Sequence, residues 1–126
     1  MSNSKRNSYQ REWKRKNRDK VSASKKRYYS SPIGVFHKYR EVAKRCGRNF
    51  DLEFELFNLC RMQKCHYCGK EQTKGNGIDR IDSSKGYNKD NILPCCRTCN
   101  VMKMAHSYSD FLKHISTIYK NLIKGK

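Results

Sequence analysis

Two pairs of cysteines constrain this chain more than anything else in it. Cys65-His66-Tyr67-Cys68-Gly69 and Cys96-Arg97-Thr98-Cys99 are both CxxC pairs, with 27 residues between them. Two residues between thiolates let both sulfurs point into one tetrahedral site, so the two knuckles predict a four-sulfur zinc site. Cys95 could stand in for Cys96, but only Cys96 has the two-residue spacing to Cys99. The competing reading is reduced thiol pairs without metal. Four thiolates leave no coordination position open, so zinc at Cys65, Cys68, Cys96 and Cys99 is a structural staple. The stretch between the knuckles is longer than in the commonest short fingers and must contain structure of its own. Cys46 and Cys60 fall on apolar helical faces and read as core residues. His66 is expected to point outward.

A staple suits the composition. Only 36% of the 126 residues are apolar, a thin supply for a small core. The formal charge is +18. No stretch approaches 18 consecutive apolar residues, so no membrane-spanning helix is expected. Met1-Ser2-Asn3-Ser4-Lys5-Arg6 has no apolar run behind its charges, so no secretory signal is expected and an intracellular location follows. A basic balance of this size needs a polyanion, an anionic lipid surface or plain solubility as its reason. Residues 1–30 hold 11 basic and 2 acidic side chains with few large aliphatics, which disfavours a membrane-binding helix. Tyr9, Trp13, Tyr28 and Tyr29 are interleaved with the charges, a pattern suited to phosphate contact with stacking. A solvated basic tail is the plainer alternative.

The chain divides at Pro32 and Gly34, giving a basic arm over 1–32 and a domain over 33–126. Phe36, Tyr39, Val42, Ala43 and Cys46 have helical spacing, and Gly47 is a natural stop. Phe50 to Leu52 reads as a short strand, and Glu53 to Met62 as a second helix. Between the knuckles, Ile78 to Asp82 reads as a strand, Ser83 to Asp90 as a loop, and Asn91 to Leu93 as a returning strand. The second knuckle opens a helix carrying Asn100, Met102 and Lys103. Ser107 with Asp110 resembles a capping box. The helix that follows repeats Phe111, Leu112, Ile115, Ile118 and Leu122 on one side, expected to close the core, with a dimer surface as the other use.

The order strand, loop, strand, helix, stapled at both ends, resembles a known family. The pattern CxYCG … xDRIDxxxGYxxxNIxPxCxxCNxxK is similar to the HNH (ββα-metal, His-Me finger) endonucleases, in their zinc-stapled Asp-Arg form found in phage, homing and restriction enzymes. The resemblance is strong over 65–103, weaker over 38–60 and absent in the basic arm. It implies an α+β fold with a small zinc-stapled ββα-metal core over 65–106, flanked by helices, with a helical or disordered basic arm. It implies Asp79 and Asn100 as ligands of a catalytic Mg²⁺ or Mn²⁺, Asn91 as the residue that holds the loop, and Lys103 as a helix lysine facing phosphate. Arg80 stands where the family usually has its histidine general base.

That departure has chemical consequences. Hydrolysis of a phosphodiester needs an oriented water, a proton acceptor, and charge neutralisation on the phosphate. Arg80 stays protonated and cannot accept a proton, but its fork can grip a phosphate. The base is left among His37, Tyr67, Tyr87 and His106, each of which could equally be a packing, surface or linker residue. Asp82 is expected to cap the loop. The expected partner is double-stranded DNA, held by Arg11, Lys14, Arg15, Lys25, Lys26 and Arg27 of the arm and by Lys38, Arg40, Lys44 and Arg45 of the next helix. One site cuts one strand, so a double-strand cutter of this size is expected to be a homodimer. The rivals are a noncatalytic zinc module that binds DNA or RNA and a purely structural ribonucleoprotein component.

Overall fold

In the computed structural model residues 3–125 are described, so Met1, Ser2 and Lys126 lie outside the described residues. The chain divides into two compact units, Met1–Tyr39 and Arg40–Lys126. The first holds helix α1 (Asn3–Lys16), helix α2 (Arg18–Ser30) and the start of helix α3 (Pro32–Arg45). Neither α1 nor α2 buries a residue, as their low apolar content dictates. Of the two states expected for the basic arm, it takes the helical one.

The turn from α2 into α3 is tightly specified. Pro32 occupies the first helical position, where a missing N–H costs nothing, and the Ser31 hydroxyl accepts from the Gly34 amide at 3.2 Å. A Cβ on Gly34 would sit 1.7 Å from the Tyr28 carbonyl oxygen, so only glycine fits there. Across the same turn the Tyr28 hydroxyl is hydrogen-bonded to His37 Nδ1.

The second unit begins with the end of α3. Gly47 adopts φ 69°, and Arg48 donates to the Ala43 carbonyl at 2.8 Å, closing the helix as the glycine stop predicts. Strand β1 (Phe50–Asp51) leads into α4 (Phe54–Arg61), which packs on β2 (Gly77–Arg80) and β4 (Ile92–Cys95). Strands β2 and β4 pair antiparallel, with Asp79 opposite Leu93 and Arg80 opposite Ile92. A further short strand, β3 (Tyr87–Asn88), lies inside the expected loop and pairs parallel with β1. Phe57, Ile78, Leu52 and Ala43 are buried in this unit, and the cysteines form a second buried cluster.

Helix α5 (Arg97–Lys103) follows the second knuckle, and α6 (Tyr108–Tyr119) runs into a π-helical turn, Lys120–Lys124. Ser107 caps α6 by accepting from the Asp110 amide at 3.1 Å, as its spacing predicts. Two expectations need correction. Of the apolar repeat only Phe111 is buried, while Leu112, Ile115 and Ile118 of α6 and Leu122 of the π-helical turn are exposed, so most of this helix does not close the core. Cys46 is exposed at the end of α3, whereas Cys60 is buried as expected. Among the described residues no helix is long and apolar enough to cross a membrane.

Candidate active site

The sulfur atoms of Cys65, Cys68, Cys96 and Cys99 all lie within 4.8 Å of one another. Zn–S bonds of 2.3 Å in a tetrahedron put sulfurs about 3.8 Å apart. The Cys68 and Cys96 sulfurs stand at 3.7 Å, close to that spacing, so the four-cysteine cluster could hold a zinc ion. Local backbone geometry builds it. Gly69 takes φ 76° to turn the first knuckle back on itself, and the amides of Cys96 and Cys99 donate to the sulfurs of Cys65 and Cys96 at 3.3 and 3.4 Å. Burial pushes the Cys65 thiol up, but amide hydrogens from Cys68, Cys96 and Tyr67 outweigh it and bring the group down to about 6. Burial and the neighbouring sulfurs push the Cys99 thiol up, so without a cation beside it this group favours its neutral form. Cys95 is buried with these cysteines but is not one of the four converging sulfurs. Burial, with the charge of Asp79 beside it, pushes its thiol up to about 12, and it donates to the Cys96 carbonyl.

The stretch joining α4 to β2 is fixed by polar contacts rather than apolar ones. Arg61 donates to the Asn76 carbonyl at 3.0 Å and to that of Lys74 at 3.2 Å. Asn76 in turn donates to the carbonyls of Gln63 and Lys70, on either side of the first cysteine. β2 is thereby held beside the knuckle, and Asp79 faces the side chain of Tyr67.

Asp79 is the centre of the site. Its carboxylate is buried, and Oδ2 accepts from the Tyr67 hydroxyl at 2.8 Å and from Lys103 Nζ at 3.1 Å. Oδ1 has a longer contact to the same ammonium, at 3.3 Å. Lys103 also donates to the Arg80 carbonyl, tying α5 to the end of β2. Burial, and then the bond to Asp79, push the Tyr67 hydroxyl well above the usual phenol range, so it stays protonated and donates.

Arg80 points the other way from Asp79, as strand alternation requires. Its Nη1 donates to the carbonyls of Ser83 and Lys85 at 2.7 and 2.8 Å, and its guanidinium lies 5.5 Å from the centre of the Tyr87 ring. Arg80, Tyr87, Lys85 and Arg48 line a cleft of about 540 Å³. Asn91 holds the loop above it, accepting from the Asp82 amide and donating to the carbonyls of Asp82 and Gly86. Asp82 caps that loop, accepting from the amide and hydroxyl of Ser84.

The fold recurs in a solved structure. The chain is similar in fold to the rare-cutting HNH restriction endonuclease PacI, with a TM-score of 0.57 and 22% identity over 72% of this chain and 78% of that one. The fold is HNH-like. No family model matches the chain. An uncharacterised protein, R423 of Acanthamoeba polyphaga mimivirus, is 33% identical over 93 residues, which is 73% of this chain. The chain spans 18% of the length of that relative.

Within the HNH-like core, Asp79, Lys103 and Tyr67 come together on one side of β2, and Arg80 and Tyr87 on the other. Lys103 is 1% exposed with its ammonium turned onto Asp79, rather than standing out toward a phosphate. Asn100 is exposed three residues earlier on α5, which puts it on the same helix face as Lys103. It does not cap α5, since Cys96 fills that position. His66 is exposed as expected, and its Nε2 is hydrogen-bonded to the Tyr108 hydroxyl at 2.9 Å. The ten basic residues expected to hold nucleic acid are all exposed, and Lys38 lies over the Tyr29 ring. Sequence reasoning missed the Tyr67–Asp79 contact. The signal available was the tyrosine's place inside a knuckle that zinc would hold rigid.

Proposed function

We propose that this chain is a metal-dependent DNA endonuclease that hydrolyses phosphodiester bonds. The observation that carries the reading is a buried carboxylate, Asp79, with a cationic cleft opening from the next residue of the same strand, all inside an HNH-like core whose four clustered cysteines could hold zinc. The donor set suits a hard divalent ion. Asp79 Oδ1 keeps acceptor capacity beyond its one long contact, and Asn100 offers an amide oxygen of the type Mg²⁺ or Mn²⁺ takes. Such an ion, when bound, supplies charge neutralisation at the scissile phosphate.

The chain's own residues do the rest. Arg80 spends both hydrogens of Nη1 on the loop, which leaves Nη2 and Nε as a fork for two phosphate oxygens. Lys85 and Arg48 add positive charge to the same cleft. Of the four candidate bases, Tyr67 has its proton committed to Asp79, which leaves His37, Tyr87 and His106, and Tyr87 lines the same cleft as Arg80. The exposed basic residues of α1, α2 and α3 would hold duplex DNA through its phosphates.

One observation favours the rival reading of a noncatalytic zinc module: the Asp79–Lys103 ion pair ties α5 to β2, a structural role that needs no divalent ion. A plasmid assay with Mg²⁺ or Mn²⁺ separates the two. Asn100 is exposed, so Asn100→Ala tests the chemistry without disturbing the core; Asp79→Asn needs its fold checked by circular dichroism, because it strands a buried ammonium. Nicked product from the wild type and none from Asn100→Ala is the expected result, and linear product would indicate two copies acting on one duplex. Tight DNA binding with no cleavage in either metal would establish the rival.

A further inference from the structure

We propose that Tyr67 is a positioning residue for Asp79, through which the zinc knuckle sets which carboxylate oxygen is presented to the divalent ion. The inference rests on the reading of Asp79 as a metal ligand. A carboxylate has about two acceptor positions on each oxygen. Oδ2 fills both, with the Tyr67 hydroxyl at 2.8 Å and Lys103 Nζ at 3.1 Å. Oδ1 has one contact, the longer one at 3.3 Å, and is therefore the oxygen with capacity to spare.

Lys103 alone could not make that distinction, because its ammonium touches both oxygens at similar distances. The Tyr67 hydroxyl touches only Oδ2, so it breaks the symmetry and fixes the rotation of the carboxylate. Tyr67 is itself immobilised. It lies between Cys65 and Cys68, and its ring packs edge-on against Phe111 at 5.3 Å and against His66 at 5.2 Å. The knuckle, the ring and the carboxylate thus form one rigid chain from the zinc cluster to the metal ligand.

The sign of one measurement separates orientation from charge. If Tyr67 acted only by withdrawing charge from Asp79, removing its hydroxyl would leave a more basic carboxylate and tighter binding. If it orients the carboxylate, removing it weakens binding; groups in this position are typically worth 10–100-fold in metal affinity or activity. The experiment is Mn²⁺ titration of the zinc-loaded full chain, followed by electron paramagnetic resonance, for wild type, Asp79→Asn, Tyr67→Phe and Tyr108→Phe, alongside kcat and KM on plasmid DNA. Tyr108→Phe removes the hydroxyl bonded to His66 in the same aromatic cluster without touching Asp79.

The expected result is Mn²⁺ binding that is lost in Asp79→Asn, about tenfold weaker in Tyr67→Phe and unchanged in Tyr108→Phe, with zinc content and melting temperature of Tyr67→Phe preserved. In the cleavage arm kcat falls and KM for DNA stays constant. Mn²⁺ binding in Tyr67→Phe that equals or exceeds the wild type overturns the proposal, as does an equal loss in Tyr108→Phe. Loss of zinc or of cooperative folding in Tyr67→Phe overturns it too, since the hydroxyl would then be structural. A wild type that binds Mn²⁺ through Asp79 but never cuts DNA defeats the nuclease reading alone.

Discussion

Lys103 and Asp79 form a buried ion pair, Nζ to Oδ2 3.1 Å, with side chains 1% and 8% exposed. It joins α5 to β2 across 24 residues and puts a fixed positive charge beside the group expected to bind metal. Taking two charges out of water is costly, and removing one partner strands the other. Lys103→Met should therefore destabilise the domain by about 3–5 kcal/mol, a large part of the total for a chain of this size. The Asp79→Asn, Lys103→Met double variant should recover much of that loss. Urea denaturation of the two singles and the double measures it, and additive losses would mean that the pair contributes nothing as a pair.

Zinc removal should have the opposite reach from removal of a catalytic ion. The cysteine cluster is the second buried nucleus of the unit, and it joins segments 31 residues apart through the Cys96 amide and the Cys65 sulfur. Stripping zinc with a strong chelator, or Cys68→Ser, should abolish the cooperative thermal transition seen by circular dichroism, whereas withholding Mg²⁺ should leave it unchanged. An unaltered melting curve in zinc-free protein would show that the thiols pack as an ordinary core.

Much of this was legible because it is local. CxxC spacing dictates its own knuckle geometry, and the cluster chose Cys96 over Cys95 as that spacing requires. The Ser107 cap and the Gly47 stop are likewise written within a turn of where they act. What escaped was long-range or depended on a missing surface. Strand β3 is two residues long and exists because β1, 37 residues earlier, offers it a parallel partner. The ion pair of Lys103 with Asp79 and the hydroxyl bond from Tyr67 to Asp79 are made by three separate elements, and no periodicity announces them. Helical repetition in α6 correctly predicts a helix, but periodicity says only that one face is apolar. It does not say that the same chain covers it.

Asp82 supplies a pH dependence. Hydrogen bonds from the Ser84 hydroxyl and amide hold its carboxyl below its ordinary value of 3.8. A folded-state value lower than the unfolded one adds stability above the unfolded value, and that stability fades as pH falls through the folded one. Asp82→Asn can keep the turn but carries no charge. The melting-temperature difference between wild type and this variant should be constant from pH 7 to about pH 5 and shrink toward pH 3. A difference that persists at the acid end would mean the side chain acts through its shape alone.

Gly86 tests how closely the cleft is built. A Cβ there would stand 2.3 Å from the Asn49 carbonyl oxygen and 2.9 Å from its nitrogen, both backbone atoms that cannot swing aside. Asn49 is also the acceptor for the Tyr87 amide at 2.8 Å, so the same contact that excludes a side chain at Gly86 places β3 beside β1. Gly86→Ala must push these strands apart, at a cost of about 1–3 kcal/mol typical of overpacking. The Gly86 carbonyl is held by Asn91, so the displacement should spread into the loop that carries Lys85 and into the Arg80 cleft. The expected outcome is a lower melting temperature together with a DNA cleavage rate reduced more than DNA affinity, because the basic helices lie outside the altered loop. Wild-type stability in Gly86→Ala would show that β1 and β3 can separate freely, and that the cleft walls are not set by their pairing.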